Sequence, residues 1–157
     1  MTRTHGRAPP GQRVVDTVPQ ENWKVLTMLG AVRLEGMVAA TSIEAPTDTA
    51  VFRCFLQDAL IPQLHAGDVV LWDRLPAHRA ADLEAALQAA GARLLLLPPY
   101  SPDLSPMEPG WSKVKEHLRT VKPRTPAAVG QAAAEGFARI TAQDAQGWFR
   151  HCGYRVH

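Results

Sequence analysis

The apolar positions of the chain change period several times, and each change marks an element. Trp23–Arg33 (WKVLTMLGAVR) and Gly36–Ile43 (GMVAATSI) are runs of strand-forming residues, joined by a tight turn around Leu34-Glu35-Gly36. From Thr47 to Leu64 the period lengthens. Val51, Phe52, Phe55, Leu56, Ala59 and Leu60 recur at the spacing of an amphipathic helix, with Thr47 as its expected cap and Pro62 near its end. Asp68 to Asp73 (DVVLWD) is too short for a helix and reads as a buried strand after a Gly67-Asp68 turn. Ala80 to Ala90 is helical and stops at Gly91. Ala92 to Leu97 (ARLLLL) is uniformly apolar, as in a sheet covered on both faces.

Three helices complete the pattern. Trp111, Val114 and Leu118, with Met107 before them, share one face of the first, and Thr125-Pro126 opens the second. The second carries Val129, Ala132, Ala133, Phe137 and Ile140 inward. Thr141 to Asp144 caps the last, which bears Trp148 and Phe149. This order predicts an α/β fold: a mixed sheet, helices on both faces and extra helices at the C-terminal end. The 157 residues make one domain, with a loop over 1–20, a core over 21–120 and C-terminal helices over 121–157. Within the loop, Gly6, Pro9, Pro10, Gly11 and Pro19 interrupt any period, and only Arg13-Val14-Val15 is suited to pair with a sheet edge.

Composition narrows the class. No apolar run approaches the roughly 20 residues that cross a bilayer, and the first residues lack the apolar core of a signal peptide. The expectation is therefore a cytoplasmic protein with no membrane partner. Cys54 and Cys152 make neither a disulfide framework nor a zinc spacing, and both are expected as buried thiols. The net charge of +2 conceals a polarity: residues 25–110 hold five Lys/Arg against ten Asp/Glu, and residues 111–157 hold eight against three. An acidic centre flanked by basic ends suits a metal site beside a phosphate-binding surface.

The candidate chemistry lies in two stretches, VVLWDRLPAH (Val69 to His78) and LLLLPPYSPDLSPMEPGWSKVKEHLR (Leu94 to Arg119). Each places a carboxylate just past an apolar segment, Asp73 in the first and Glu108 in the second, where α/β folds commonly hold chemistry. Taken singly, both have structural readings. Asp73 is a strand-end turn residue, and Glu108 completes a capping box with Ser105, although Pro109 argues for a helix that starts later. Together, two hard oxygen ligands on neighbouring element ends supply part of a magnesium cage for phosphoryl transfer. Asp103 reads as a turn-former.

These stretches resemble the catalytic domain of bacterial insertion-sequence transposases of the mariner superfamily. Asp73 matches the second acid of that family's Asp-Asp-Glu triad and Glu108 the third, and Pro98 to Lys113 follows the family's Pro-Pro-Tyr-Ser-Pro-Asp motif nearly position for position. The resemblance implies an RNase H-like sheet of order 3-2-1-4-5, with two Mg2+ (or Mn2+) ions held by the triad. It implies cleavage of DNA at element ends and transfer of the 3′-hydroxyl to target DNA. By the same comparison, the central first strand and its Asp have no counterpart here. The chain is thus expected to be an N-terminally truncated catalytic domain, inactive and without metal binding when alone.

Arg74 departs from the family's Asn, and a cation there competes with magnesium. Asp16 matches a non-catalytic position. His78 matches a family His and is a candidate contact to DNA or to the outer shell of a metal. Lys113, Lys115, Arg119, Lys122 and Arg124 form a basic face that is either solvated or in contact with DNA phosphates. The expected partners are DNA, on the nucleoid, and an upstream transposase fragment or intact transposase. A rival reading makes the chain a non-catalytic regulator that binds DNA or transposase. A third makes it an unrelated small α/β domain with a coincidental capping box.

Overall fold

The two strand-forming runs near the start pair as an antiparallel hairpin, β1 (Thr27–Arg33) with β2 (Gly36–Ile43). The turn is Leu34-Glu35, and Gly36 follows at φ +121°, a conformation that side chains resist. A bulge between Ala31 and Val32 shifts the register. Later in the chain β3 (Val69–Trp72) and β4 (Arg93–Leu96) pair in parallel, joined by the crossover helix α2 (Ala81–Ala89). The computed structural model describes residues 5–17, 25–73 and 81–156.

Between the two strand pairs runs α1 (Thr49–Cys54), which continues without a break as a π-helical stretch, Phe55–Leu60, and a 3-10 turn, Ile61–Gln63. Its cap is Asp48, whose carboxylate accepts from the Val51 N–H at 2.8 Å. Thr47, the expected cap, instead donates its hydroxyl to Thr27 Oγ1 at 3.1 Å, tying the helix entry to β1. Three helices close the chain: α3 (Met107–Val121), α4 (Pro126–Ala138) and α5 (Ala142–His151). Thr125 caps α4, and Thr141 with Asp144 forms the expected capping box of α5.

The apolar residues separate into two cores on opposite faces of the β1–β2 hairpin. Leu29 and Ala31 point to one, with Phe52, Phe55, Leu56 and Leu60 from α1, Trp72 from β3, and Leu83 and Leu87 from α2. Met28 and Val32 point to the other, with Val114 and Leu118 from α3 and Ala132, Ala133 and Phe137 from α4. The alternation of β1 thus sorts its side chains between two helix layers, giving an α/β/α arrangement. The apolar faces expected for α3 and α4 are buried here. Trp111 meets Phe137 edge-on at 5.7 Å between ring centroids.

Several expectations change. The single mixed sheet is two separate two-stranded sheets, with no ladder between β1 and β3 among the described residues. Leu95 and Leu96 of β4 are 51% and 41% exposed although neighbours in a strand point to opposite faces, so neither face of this short strand is fully covered. Arg13-Val14-Val15 pairs with no strand among the described residues, and Val15 is 83% exposed. Cys152 is buried as expected, whereas Cys54 lies on the outer side of α1 and is exposed. Trp23, Arg74 and His78 lie outside the described residues. No described helix is long and apolar enough to cross a membrane.

Leu56 is fully buried in the π-helical stretch, beneath both strand pairs. Leu56→Ala is expected to lower stability by about 3 kcal/mol. At this chain length that is a fall of roughly 6–12 °C in Tm, measured by thermal denaturation.

Candidate active site

A cavity of about 910 Å³ opens between β1 and β3, and both predicted acids stand on its wall. Asp73 directly follows the last residue of β3, and Glu108 is the second residue of α3; both are exposed. The chain reaches Glu108 through a turn of fixed shape. The parallel ladder continues one residue past β4, with the Leu97 N–H donating to Trp72 O at 2.9 Å. Pro98 and Pro99 then offer no N–H, so pairing stops. Pro102–Leu104 forms a 3-10 turn in which the Ser105 N–H donates to Pro102 O at 3.0 Å. Tyr154, beyond α5, donates its hydroxyl to Leu104 O at 2.8 Å and fastens the turn to the C-terminal segment.

This geometry removes the structural reading of Glu108. A capping box needs the Ser105 N–H, which is already bonded to Pro102 O, and α3 carries no side-chain cap. The carboxylate of Glu108 has no hydrogen bond or ion pair among the described residues. Nor does Pro109 delay the helix: it falls in the first turn, where its absent N–H has no partner to lose. Asp73 makes an interaction of its own and is not a free group. No set of three His, Cys, Asp or Glu side chains comes together among the described residues. Asp73 and Glu108 are the two predicted acids on this cavity wall.

Tyr100 was not singled out by sequence. It sits on the same rim, fully exposed, at φ +57°. A bulky residue held in this left-handed conformation is strained by about 1–2 kcal/mol, and the flanking prolines leave the turn little freedom to relax. Nothing in the Pro-Tyr-Ser-Pro string announces the positive φ. Arg33 was missed too: its guanidinium bridges β1 to Asp68 at 2.6 Å, to Gln63 O at 2.9 Å and to His65 Nδ1 at 3.0 Å.

The basic face is only partly available. Lys113 is 2.5 Å from Asp144 and ties α3 to the start of α5. Lys122 pairs with Asp16, and Arg124 donates to Thr17 O at 3.1 Å, so both hold the segment after the N-terminal loop. Lys122 caps α3 at φ +53°. Lys115 and Arg119 make no such bonds among the described residues. Lys122, then the Thr17 N–H, hold the Asp16 carboxyl below its ordinary range. The Lys113 hydrogen bond, then the Thr141 N–H, hold Asp144 at about 2.

The layers and connections are those of an RNase H-like α/β domain. The chain belongs to the DDE superfamily endonuclease family, whose model matches residues 1–127. Its fold is similar to the Mos1 mariner paired-end complex with Mn (TM-score 0.72, 19% identity, 97% of this chain and 47% of that one). It is also similar to the Mos1 transposase paired-end complex with left transposon end (TM-score 0.70, 17%, 95% and 47%). The isolated catalytic domain of Mos1 mariner transposase matches at TM-score 0.61 and 18% identity, over 87% of this chain and 71% of that one. At such identities the likeness concerns the fold. The chain spans about half the length of the transposase chains in the two complexes. No curated protein sequence matches it.

Because the folded pKa of Asp144 lies below its ordinary value, the stability it contributes is present above about pH 4. It is lost as pH falls toward 2. Lys113→Met is expected to cost about 1 kcal/mol at neutral pH, discounting for the partial exposure of the pair. The difference from wild type should shrink as pH falls from about 4 through 2, read by urea unfolding across pH.

Proposed function

We propose that this chain is part of a DDE transposase endonuclease domain, contributing Asp73 and Glu108 as the second and third acids. The observation that carries this reading is that the two acids share one cavity rim although 35 positions separate them in sequence. The substrate is DNA, an element end and its target, as a neighbouring Mos1 paired-end complex holds a left transposon end. The reaction displaces a bridging oxygen at phosphorus, first by water and then by a 3′-hydroxyl. Divalent cations, present as Mn or Mg in related Mos1 structures, would supply charge neutralisation and an activated nucleophile. This chain's part is to offer carboxylate oxygens at the ends of β3 and the turn before α3, positioned by a rigid proline turn. Lys115 and Arg119 give phosphate contacts, while Lys113, Lys122 and Arg124 act mainly within the fold; His78 remains a candidate contact to DNA.

Alone, the chain is a non-catalytic domain. Among the described residues no third acid joins Asp73 and Glu108, which leaves the spacing of two ions undefined, and Arg74 after Asp73 in sequence adds an opposing charge. That same shortage favours the second reading, a regulator that binds DNA or an intact transposase.

Supercoiled plasmid incubated with the purified chain and Mg2+ or Mn2+ should remain unnicked, while duplex DNA is bound weakly and without sequence preference. Lys115→Ala with Arg119→Ala should flatten the salt dependence of binding, by about 0.9 in log–log slope for each phosphate no longer neutralised. Metal-dependent nicking abolished by both Asp73→Ala and Glu108→Ala would contradict inactivity. No binding to DNA at all would remove the transposase reading.

A further inference from the structure

We infer that Tyr100 is a stacking platform for one unpaired DNA base, beside the phosphate that Asp73 and Glu108 serve. The choice of DNA rests on the function proposed above; that the ring is held out for a flat partner rests on the turn itself.

The backbone is the first argument. Pro99 and Tyr100 form a turn shortly after β4, and Tyr100 takes φ +57°. A turn position of positive φ ordinarily holds Gly or Asn, because other side chains crowd the backbone there. Among the described residues, only Tyr100 and Lys122 adopt positive φ without being glycine. Lys122 has a local reason, since it ends α3 in a left-handed cap and pairs with Asp16. Tyr100 has no such role.

The side chain is the second. A strained aromatic residue is usually stabilised by burying its ring, yet Tyr100 is 102% exposed, more than any other large hydrophobic residue described. No hydrogen bond or ring contact involves it among the described residues. The contrast is Tyr154, whose ring packs against Phe149 at 5.8 Å and whose hydroxyl donates to Leu104 O. Packing and backbone preference would both place Gly or Asn at position 100. The ring is therefore not explained by the fold.

The support beneath it is stiff. Pro98, Pro99 and Pro102 fix their own φ angles. The Leu104 N–H donates to Ser101 O at 3.2 Å, and Tyr154 fastens Leu104 to the C-terminal segment. A backbone held this way has little freedom left to lose when the ring meets a ligand.

Position selects that ligand. Tyr100 lines the same cavity as Asp73 and Glu108, so a DNA strand whose phosphate reaches the acids brings its nearest base to the ring. Within a duplex each internal base is covered on both faces by its neighbours and shows only edges to the grooves. A ring with open faces gains most from a base that is unpaired, at a cut or frayed end. Such stacking tolerates any sequence, because every base has a π-face. It thus fits binding without sequence preference.

The test uses the whole chain and two short dye-labelled duplexes. One is blunt with a paired terminal 2-aminopurine, and the other carries 2-aminopurine as a single unpaired base at its 3′ end. Measured by anisotropy at low salt, the wild-type chain should prefer the overhang by about fivefold or more, and binding should quench the 2-aminopurine emission. Tyr100→Phe should keep both effects. Tyr100→Asn, which suits a positive φ, should bring the ratio near one and abolish the quench, with Tm equal to or above wild type. Preference and quench that persist in Tyr100→Asn overturn the stacking role. So does a wild-type chain that binds the blunt duplex but shows neither effect; in both cases the DNA-binding reading stands. A Tm that falls by several degrees in Tyr100→Asn would assign the ring to the fold and overturn it as well. No binding to either duplex removes the DNA-binding reading and the stacking role together.

Discussion

The structure depends on one apolar helix packing under two sheets that are not hydrogen-bonded to each other. Phe52, Phe55, Leu56 and Leu60 belong to a single core with Leu29, Ala31 and Ala39 of the hairpin and with Trp72 and Val70 of β3. Phe52 meets Trp72 edge-on at 5.4 Å. Side-chain burial therefore does between β1 and β3 what a backbone ladder does within each pair. Hydrophobic contact is non-directional, so it can hold the two fragments in one domain while leaving a gap between their edges. The Arg33–Asp68 pair adds direction at one end of that gap. The cavity, its polarity and the placement of both acids on its rim follow from this arrangement.

The site shows a division between rigid and adaptable parts. Prolines, a 3-10 turn and the Tyr154 bond fix the approach to Glu108. Tyr100 is held at a costly backbone angle with its ring in solvent. The cations nearby are unequal. Lys113 and Lys122 neutralise Asp144 and Asp16 and stabilise the packing of α5 and the N-terminal segment. Any phosphate that reached them would compete with a carboxylate already in place.

Much of this was legible in the sequence because the elements carry local signals. The period of α1, the Gly91 stop, the Thr125-Pro126 and Thr141–Asp144 caps, and the inward faces of α3 and α4 all formed as the residues dictate. The motif around Pro98 to Lys113 identified the family directly. What the sequence did not reveal depends on competition between groups. Asp48 displaced Thr47 as cap because Thr47 had a partner in Thr27. Ser105 and Glu108 failed to form a capping box because a neighbouring turn used the Ser105 N–H. Four apolar residues in ARLLLL signalled two covered faces, yet coverage is a tertiary property, and each face of β4 leaves a leucine partly open. Asp73 and Glu108 were found, but the open cavity between β1 and β3 is a matter of pairing that no local pattern encodes.

Residue-resolved amide exchange in the free chain tests most directly whether the two sheets are held together by side chains alone. With β1 bonded only to β2 and β3 only to β4, protection should alternate along Thr27–Arg33 and along Val69–Trp72, since every second N–H faces the gap. Continuous protection through both segments would show that the gap is closed in solution, and would contradict the account.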